Sequence, residues 1–179
     1  MPESWLEEVE EFWSARERFL KSDASSPLKA EERKKFLGLK YFPPDPAFKL
    51  KARFVRAPES RVVELQTSKG GSVRIAIAGE LYFTIGKIQF KLLAYKGKGS
   101  NLLVPFRDKT NGSETFSLGR YVEVEAPEGA EILTLDFNLA YNPDAAYEES
   151  KESLVPPAEN SLDLAIRAGE KNYYAQSVR

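Results

Sequence analysis

The sequence contains no cysteine and no histidine among its 179 residues, and only one methionine. The lack of cysteine excludes disulfides, thiolate nucleophiles, zinc ribbons and iron–sulfur clusters. The lack of histidine removes the commonest general base and the commonest transition-metal ligand. Any catalysis therefore has to use Asp, Glu, Lys, Tyr, Ser or Thr, and any metal would be a hard ion held by oxygen atoms.

The chain also lacks a strong net charge and a long apolar run. The 26 basic and 27 acidic side chains give a formal charge of −1, which provides no general field for nucleic acid or an anionic membrane. No window reaches the roughly 18 apolar residues of a membrane span, and the acidic start MPESWLEEVEE is unlike a secretory signal. We therefore expect a cytoplasmic protein with no nucleic-acid partner and no membrane partner. The 30% charged content with so few thermolabile residues is typical of thermophiles.

The length suits one globular domain with a small N-terminal addition. Residues 3–22 carry apolar side chains at helical spacing, which predicts an amphipathic helix with a large aromatic face. That face either docks on the protein's own sheet or forms a homodimer. A second short helix is predicted from Ser26 as N-cap and Pro27 at the first helical position, with a stop at Gly38.

A proline-rich connector, YFPPDP at residues 41–46, divides the chain. Residues 1–45 are predicted to be an N-terminal helical appendage with its connector, and residues 46–179 a β domain. The β domain shows alternation of apolar and polar residues between Gly-containing turns, which indicates short antiparallel strands. The predicted fold is α+β, with N-terminal helices packed on a mainly antiparallel β sandwich or partly closed β barrel of about eight to nine strands.

Several short sequence motifs, some with variable positions, follow one another along the chain in a specific order. They are Trp13 with Arg16; Ser26-Pro27-Leu28; Phe36-x-Gly38-Leu39-x-Tyr41-Phe42; Pro105-Phe106-Arg107-Asp108-x-Thr110-x-Gly112-x-Glu114-Thr115; Gly119-Arg120-Tyr121; Asp136-Phe137-Asn138-x-Ala140-Tyr141-Asn142-Pro143; Ala146-Tyr147; Pro156-Pro157-x-Glu159-Asn160; and Ala168-Gly169-Glu170. In these motifs the sequence resembles the bacterial and archaeal domain-of-unknown-function family 1684, over nearly its whole length. The resemblance implies no assigned function.

One departure from that family is informative. Its members often carry a cysteine after the Asn-Pro pair and another just before the proline pair, where this chain has Ala145 and Ser153. A metal or redox role of that loop in relatives would therefore not carry over to this protein.

The candidate site residues lie in the polar sequence motifs between Phe106 and Glu170. Arg107 and Asp108 follow a strand, where Arg107 is able to hold a carboxylate or phosphate by two parallel N–H bonds. Arg120 begins another strand, and the two arginines together predict an anion cradle at one end of the sheet. The structural alternatives are an Arg107–Asp108 pair that ties down the loop, and Arg120 stacked on a tyrosine.

The remaining candidates form an oxygen-rich set. We expect Asp136 and Asn138 to project from one strand as an i, i+2 pair. The others are Tyr141, Asn142, Glu159 and Asn160. Together they suit a sugar, a polar metabolite, or Mg²⁺ or Ca²⁺. The alternative is that Asn and Asp beside proline build turns, in an ordered strap across the barrel mouth.

The function predicted from these residues is the binding of a small polar or anionic ligand through loops at one end of the barrel. A hydrolase or lyase using Asp136 or Glu159, with a hard divalent ion, is the first alternative. A structural or partner-binding role of the N-terminal helix is the second. The sequence leaves the cofactor unknown, because no recognised nucleotide or catalytic signature is present.

Overall fold

The computed structural model describes residues 4–59 and 61–174. Within these ranges it contains two α-helices and seven β-strands: α1 Trp5–Ser22, α2 Ala30–Lys35, β1 Lys49–Arg56, β2 Val62–Gln66, β3 Ser72–Ile85, β4 Ile88–Lys96, β5 Asn101–Phe106, β6 Arg120–Glu125 and β7 Ile132–Asp136. The predicted α+β class is confirmed. The strand number is lower than predicted, because the chain after β5 and after β7 forms loops and single 3₁₀ turns rather than further strands. None of the helices in the described ranges has both the length and the apolar character needed to cross a membrane.

The sheet is antiparallel throughout and has the order β6-β5-β4-β3-β1-β7, with β2 paired to β3. The two end strands, β6 and β7, contact each other, so the sheet curls into a nearly closed barrel. Of the two predicted architectures, the partly closed barrel is therefore the one observed. The interior is filled by one large apolar cluster, in which Phe106 and Phe137 pack edge to face with ring centroids 5.0 Å apart.

Helix α1 covers one side of the barrel. The Ser4 hydroxyl caps its start by accepting a hydrogen bond from the Glu7 backbone N–H at 3.3 Å. The aromatic face predicted from the sequence points to the barrel: Trp5 Nε1 donates to Asp136 at 2.7 Å, and Trp13 Nε1 donates to the Asn138 carbonyl at 3.0 Å. The helix thus docks on the protein's own barrel, and the homodimer stays a prediction.

The second helix begins later than the sequence indicated. It starts at Ala30 rather than Pro27, and its N-cap residue Lys29 provides no side-chain cap. The Ser26 hydroxyl is used elsewhere, since it donates to the Leu20 carbonyl at 2.6 Å and accepts from the Leu28 N–H at 3.2 Å. Ser26 therefore stabilises the turn that follows α1 instead of opening α2.

The proline-rich connector packs closely on both neighbouring parts of the chain. Tyr41 stacks on Trp13 with ring centroids 4.0 Å apart, and the Phe42 N–H donates to the Gly169 carbonyl at 3.0 Å. The division into residues 1–45 and 46–179 stays a prediction.

A largely irregular segment, residues 137–171, closes over the barrel, and we refer to it as the C-terminal cover. It contains three 3₁₀ turns and no strand, yet Ile166, Ala168 and Glu170 are almost completely buried. Because buried backbone N–H and C=O groups need partners and this segment has no ladder to supply them, side chains have to provide many of its hydrogen bonds.

Replacing Gly169 by alanine tests how tightly the C-terminal cover packs. Gly169 has φ +77°, and a Cβ there would lie 2.7 Å from the Ala140 carbonyl oxygen, whereas Gly129 has φ +76° and open space around the same position. Both substitutions carry the left-handed backbone cost, about 1–2 kcal/mol. We expect Gly169→Ala to cost about 1–3 kcal/mol more than Gly129→Ala in urea unfolding, owing to overpacking. Equal losses of unfolding free energy in the two variants would show that the C-terminal cover shifts to accommodate the added methyl group.

Candidate functional site

Asp108 and Arg120 form an ion pair inside the protein. Arg120 is completely buried, and its Nη2 lies 3.7 Å from Asp108 Oδ1. Its guanidinium donates to the carbonyls of Ile166, Ala168 and Glu170, while Asp108 Oδ2 accepts from the Ile166 N–H at 2.6 Å. Burial lowers the pKa of Arg120 to about 10, partly offset by Asp108 and Glu170, so the side chain is charged at neutral pH. The pair fastens the C-terminal cover to β6.

Asp136 and Asn138 do not form the predicted i, i+2 pair of a strand. Strand β7 ends at Asp136, whose Oδ1 caps the 3₁₀ turn Phe137–Leu139 by accepting from the Asn138 N–H at 2.9 Å. Asn138 is fully buried, and its side chain bonds both backbone groups of Asp45 at 2.9 Å. The physical reason is that Asp and Asn offer the backbone a local alternative to the ladder. Here they build the turn and join it to the proline-rich connector.

Asn160 and Glu159 lie side by side but have opposite environments. Asn160 is fully buried; its Oδ1 accepts from the Leu93 N–H at 2.8 Å, and its Nδ2 donates to the carbonyls of Leu93 and Pro105. Glu159 is exposed. The amide thus joins the cover to strands β4 and β5.

Arg107 lines a cavity of its own, which Arg120 does not reach. This cavity has a volume of about 450 Å³ and is bounded by Glu64–Gln66, Arg107, Val155–Ala158 and Ser161; we call it the proline cleft. Since Arg120 is enclosed, the two guanidinium groups share no open cavity, and the structure does not assemble the two-arginine cradle. The ligand-binding role of Arg107 stays a prediction.

Tyr141 and Asn142 contribute to a second cavity, which lies between α1 and the barrel. It has a volume of about 630 Å³, and we call it the helix cleft. Its walls come from α1, the β4–β5 hairpin, β6 and the cover: Phe12, Arg16, Phe19, Lys96–Lys98, Leu103, Tyr121, Glu123, Tyr141–Asp144 and Glu152–Leu154. Of the residues predicted for a site, these two are the ones that the structure brings together in an open cavity.

The helix cleft is bordered by a network of hydrogen bonds centred on Glu170. Its buried carboxylate accepts from Arg16 Nε at 3.2 Å, from the Asn142 N–H at 2.8 Å and from the Tyr147 hydroxyl. Arg16 Nη2 donates to the Tyr147 oxygen at 3.0 Å, and the guanidinium carbon lies 4.6 Å from the centroid of the Tyr141 ring. Arg16 is therefore held on three sides.

The protonation states of this network follow from burial and charge. Burial raises the pKa of the Tyr147 phenol well above its ordinary value, and Glu170 raises it further. Burial also raises the pKa of Tyr141, which donates to Glu123 at 3.2 Å. For Arg16, burial acts to lower the pKa, but Glu170 and Tyr147 outweigh it and raise the pKa above its ordinary value. Both phenols are thus neutral donors, and Arg16 is a permanent cation.

Sequence reasoning missed Arg16, Tyr147 and Glu170 as members of one network. A usable signal existed for Arg16, because Phe12, Arg16 and Phe19 are spaced four and three residues apart and so share one helix face. No such signal joins Arg16 to Glu170, which lies 154 positions later.

No group of three or more acidic side chains is arranged to hold a metal ion within residues 4–59 and 61–174. The divalent-metal alternative stays a prediction.

Fold and cavities together define an α+β protein in which an N-terminal helix covers a nearly closed antiparallel barrel and leaves an aromatic cleft beside a fixed guanidinium. The chain belongs to the family described as protein of unknown function (DUF1684), whose profile matches residues 34–171. The resemblance noted in the sequence is thereby confirmed. Helix α1, which carries Arg16, precedes the matched range.

A solved structure is similar over a larger part of the chain. The solution NMR structure of an uncharacterised protein from Haloarcula marismortui is 35% identical, with a TM-score of 0.75, over 93% of this chain and 94% of the other. A search of curated proteins finds no match.

Proposed function

We propose that this protein binds a small carboxylate that also carries hydrogen-bond donors, in the helix cleft. The observation that carries the proposal is the Arg16 guanidinium. Two of its nitrogens are held by Glu170 and Tyr147, while Nη1 donates to no described residue. The Arg16 side chain lines the cavity. A guanidinium fixed in this way loses little freedom when a carboxylate arrives.

The charges of the cleft favour a ligand with groups of both kinds. Three basic and three acidic side chains line it: Arg16, Lys96, Lys98, Glu123, Asp144 and Glu152. Their formal charges cancel, so there is no net attraction for a purely anionic molecule. A carboxylate at Arg16 combined with N–H or O–H donors facing the acidic residues uses both signs.

Asn142 has an unsatisfied acceptor next to the helix cleft. Its Nδ2 donates to the Lys171 carbonyl at 2.9 Å, but its Oδ1 is enclosed and accepts from no described residue. A buried acceptor without a partner is unfavourable by about 1–3 kcal/mol. Because this oxygen has no accessible surface, it does not contact a ligand in the cleft.

The walls suit a compact body with an apolar face. Phe12, Phe19 and Tyr141 are half-buried and border the cleft. A volume of about 630 Å³ is in the range of small-molecule sites, which are mostly apolar with a few placed polar groups. Amino acids and sugar acids have this combination of features.

Titration with matched ligands tests the proposal. We expect L-phenylalanine or glucuronate to shift the NMR signals of Tyr141 and Asn142, and to bind at least about 10-fold more tightly than L-phenylalaninamide or glucose, since a charge-assisted bond contributes about 1.5–3 kcal/mol. Arg16→Lys should weaken the acids by a similar factor, because lysine keeps the pair with Glu170 but lacks the forked donor.

Two variants serve as controls for this titration. Arg18→Lys changes an exposed arginine of the same helix outside the helix cleft, and should leave affinity unchanged. Leu103→Trp should fill the cleft and abolish binding while leaving the Glu170 network in place. The proposal is wrong if acids and their neutral counterparts bind equally, or if no member of the panel binds.

The other predicted roles gain no specific support. Asp136 uses both carboxylate oxygens in hydrogen bonds to Trp5 and Asn138, and Glu159 is exposed, so the hydrolase or lyase alternative stays a prediction. The homodimer, the partner-binding role of α1, the cytoplasmic location and the thermophilic source stay predictions too.

A further inference from the structure

We propose that the outer edge of strand β2 binds the C-terminal end of an extended peptide, with the terminal carboxylate held by Arg107. Two features meet in the proline cleft: a guanidinium that forms no ion pair with any described residue, and a sheet edge with an open stretch beside Glu64. Both line the same cavity of about 450 Å³. This site is separate from the helix cleft and does not depend on the function proposed for it.

The first observation concerns the side chain of Arg107. Among the described residues, three arginines have an enclosed Nε without a partner: Arg33, Arg107 and Arg120. Arg33 still donates from Nη1 to the Asp23 carbonyl, and Arg120 donates to three carbonyls. In contrast, the guanidinium of Arg107 forms no hydrogen bond and no ion pair with any described residue. A partly enclosed cation of this kind is well suited to bind a carboxylate by two parallel N–H bonds.

The second observation concerns the backbone of β2. The Thr67 N–H donates to the Gly71 carbonyl and the Ile77 N–H donates to the Arg61 carbonyl, both at 2.9 Å. The odd-numbered residues of β2 therefore pair with β3, and the even-numbered residues direct their N–H and C=O groups to the outer edge. On that edge the Gln66 carbonyl accepts from the Val155 N–H at 2.9 Å. Glu64 lies one step earlier on the same edge, where no described strand pairs with it.

The C-terminal cover determines which part of a peptide fits. Val155 occupies the edge at Gln66. The C-terminal cover then continues into Pro156 and Pro157, which have no N–H to extend a ladder. A strand added beside Glu64 therefore has to stop at Gln66. Its last residue then lies in the cavity that Arg107 lines, which selects a terminal carboxylate rather than a continuing chain. Because β2 runs from Val62 to Gln66, the added strand would run parallel to it.

This mode of recognition uses two general features of protein–peptide binding. Main-chain hydrogen bonds to an exposed sheet edge give affinity that is tolerant of sequence. A single fixed cation at the end of the edge then selects the free terminus. The apolar side chains of Leu65, Val155 and Pro156, which border the cavity, suit a short aliphatic residue at the last position.

Fluorescence polarisation tests the proposal with the full chain. The probe is an N-terminally fluorescein-labelled hexapeptide of alternating threonine and valine that ends in alanine with a free carboxylate. We expect the same peptide with a C-terminal amide to bind at least about 10-fold more weakly. A version N-methylated at the two peptide bonds nearest the C-terminus should also lose at least about 10-fold, since it cannot donate to the strand edge.

Variants separate this site from a plain anion site and from the helix cleft. Arg107→Met should weaken the free acid at least about 10-fold and Arg107→Lys by less, because lysine keeps the charge without the fork. Arg16→Lys and Arg18→Met should have no effect. The proposal is overturned if acid and amide bind equally, if Arg107→Met leaves binding unchanged, or if no peptide binds. It is also overturned if the N-methylated acid and inorganic phosphate bind as well as the parent peptide, which would leave only an anion site.

Discussion

Replacing Arg120 by methionine is expected to lower the free energy of unfolding by about 3–5 kcal/mol, because removing one member of a buried ion pair leaves the other uncompensated. Asp108 would lose its partner at 3.7 Å, and the carbonyls of Ile166, Ala168 and Glu170 would lose their donors. Urea unfolding measures the loss. In a chain of this size the thermal midpoint should fall by roughly 6–20 °C.

Arg107→Met is the matched control for this result. The side chain of Arg107 bonds to no described residue, so its removal should change the stability by less than about 0.5 kcal/mol. The interpretation of Arg120 as the fastening of the C-terminal cover fails if its variant loses no more than the control. Together the two variants distinguish the structural arginine from the one that faces a cavity.

Replacing Asn160 by aspartate is expected to cost about 3 kcal/mol at neutral pH. The carboxylate keeps an acceptor for the Leu93 N–H but cannot donate to the carbonyls of Leu93 and Pro105, so two buried acceptors lose partners and a charge enters the interior. Burial should raise the pKa of the new carboxyl above its unfolded value, and the loss should therefore shrink as the pH falls.

The adjacent exposed residue provides the comparison for Asn160. Glu159→Gln should leave the urea midpoint nearly unchanged. Amide hydrogen exchange at Leu93 should accelerate in Asn160→Asp, because the less stable variant opens more often although its carboxylate still accepts from this N–H. It should not accelerate in Glu159→Gln. If both variants unfold at the same urea concentration, the side-chain amide of Asn160 is not what joins the cover to β4.

The periodic parts of the chain were predictable because their pattern depends on neighbours. In β7, Leu133 and Leu135 are buried and Thr134 between them is exposed, as strict alternation indicates. In α1, the aromatic residues share a face because a helix brings positions three and four apart together. The helical pattern also predicted that the aromatic face of α1 packs against another surface.

The polar motifs were harder to interpret, because a short polar side chain either forms part of a ligand site or bonds to the nearby backbone. Alternation continued the strand through Phe137, but Asp136 instead caps a turn there, and Asn138 bonds the connector 93 positions earlier. The same residue types serve a ligand site and a backbone turn equally well. Their choice depends on which backbone groups lie within reach after folding.

By itself, the sequence determined that thiol and imidazole chemistry are excluded, that a helix precedes a set of antiparallel strands, and that the polar residues gather after Phe106. Only the tertiary structure decided which of these side chains form hydrogen bonds with the backbone and which face a cavity. The reason is that the C-terminal cover is buried but forms no β-strand whose hydrogen bonds would satisfy its backbone. Its carbonyl groups therefore accept hydrogen bonds from the side chains that packing places next to them. Arg120 is used in this way by residues at least 46 positions later, while Arg16 and Arg107 each line an open cleft.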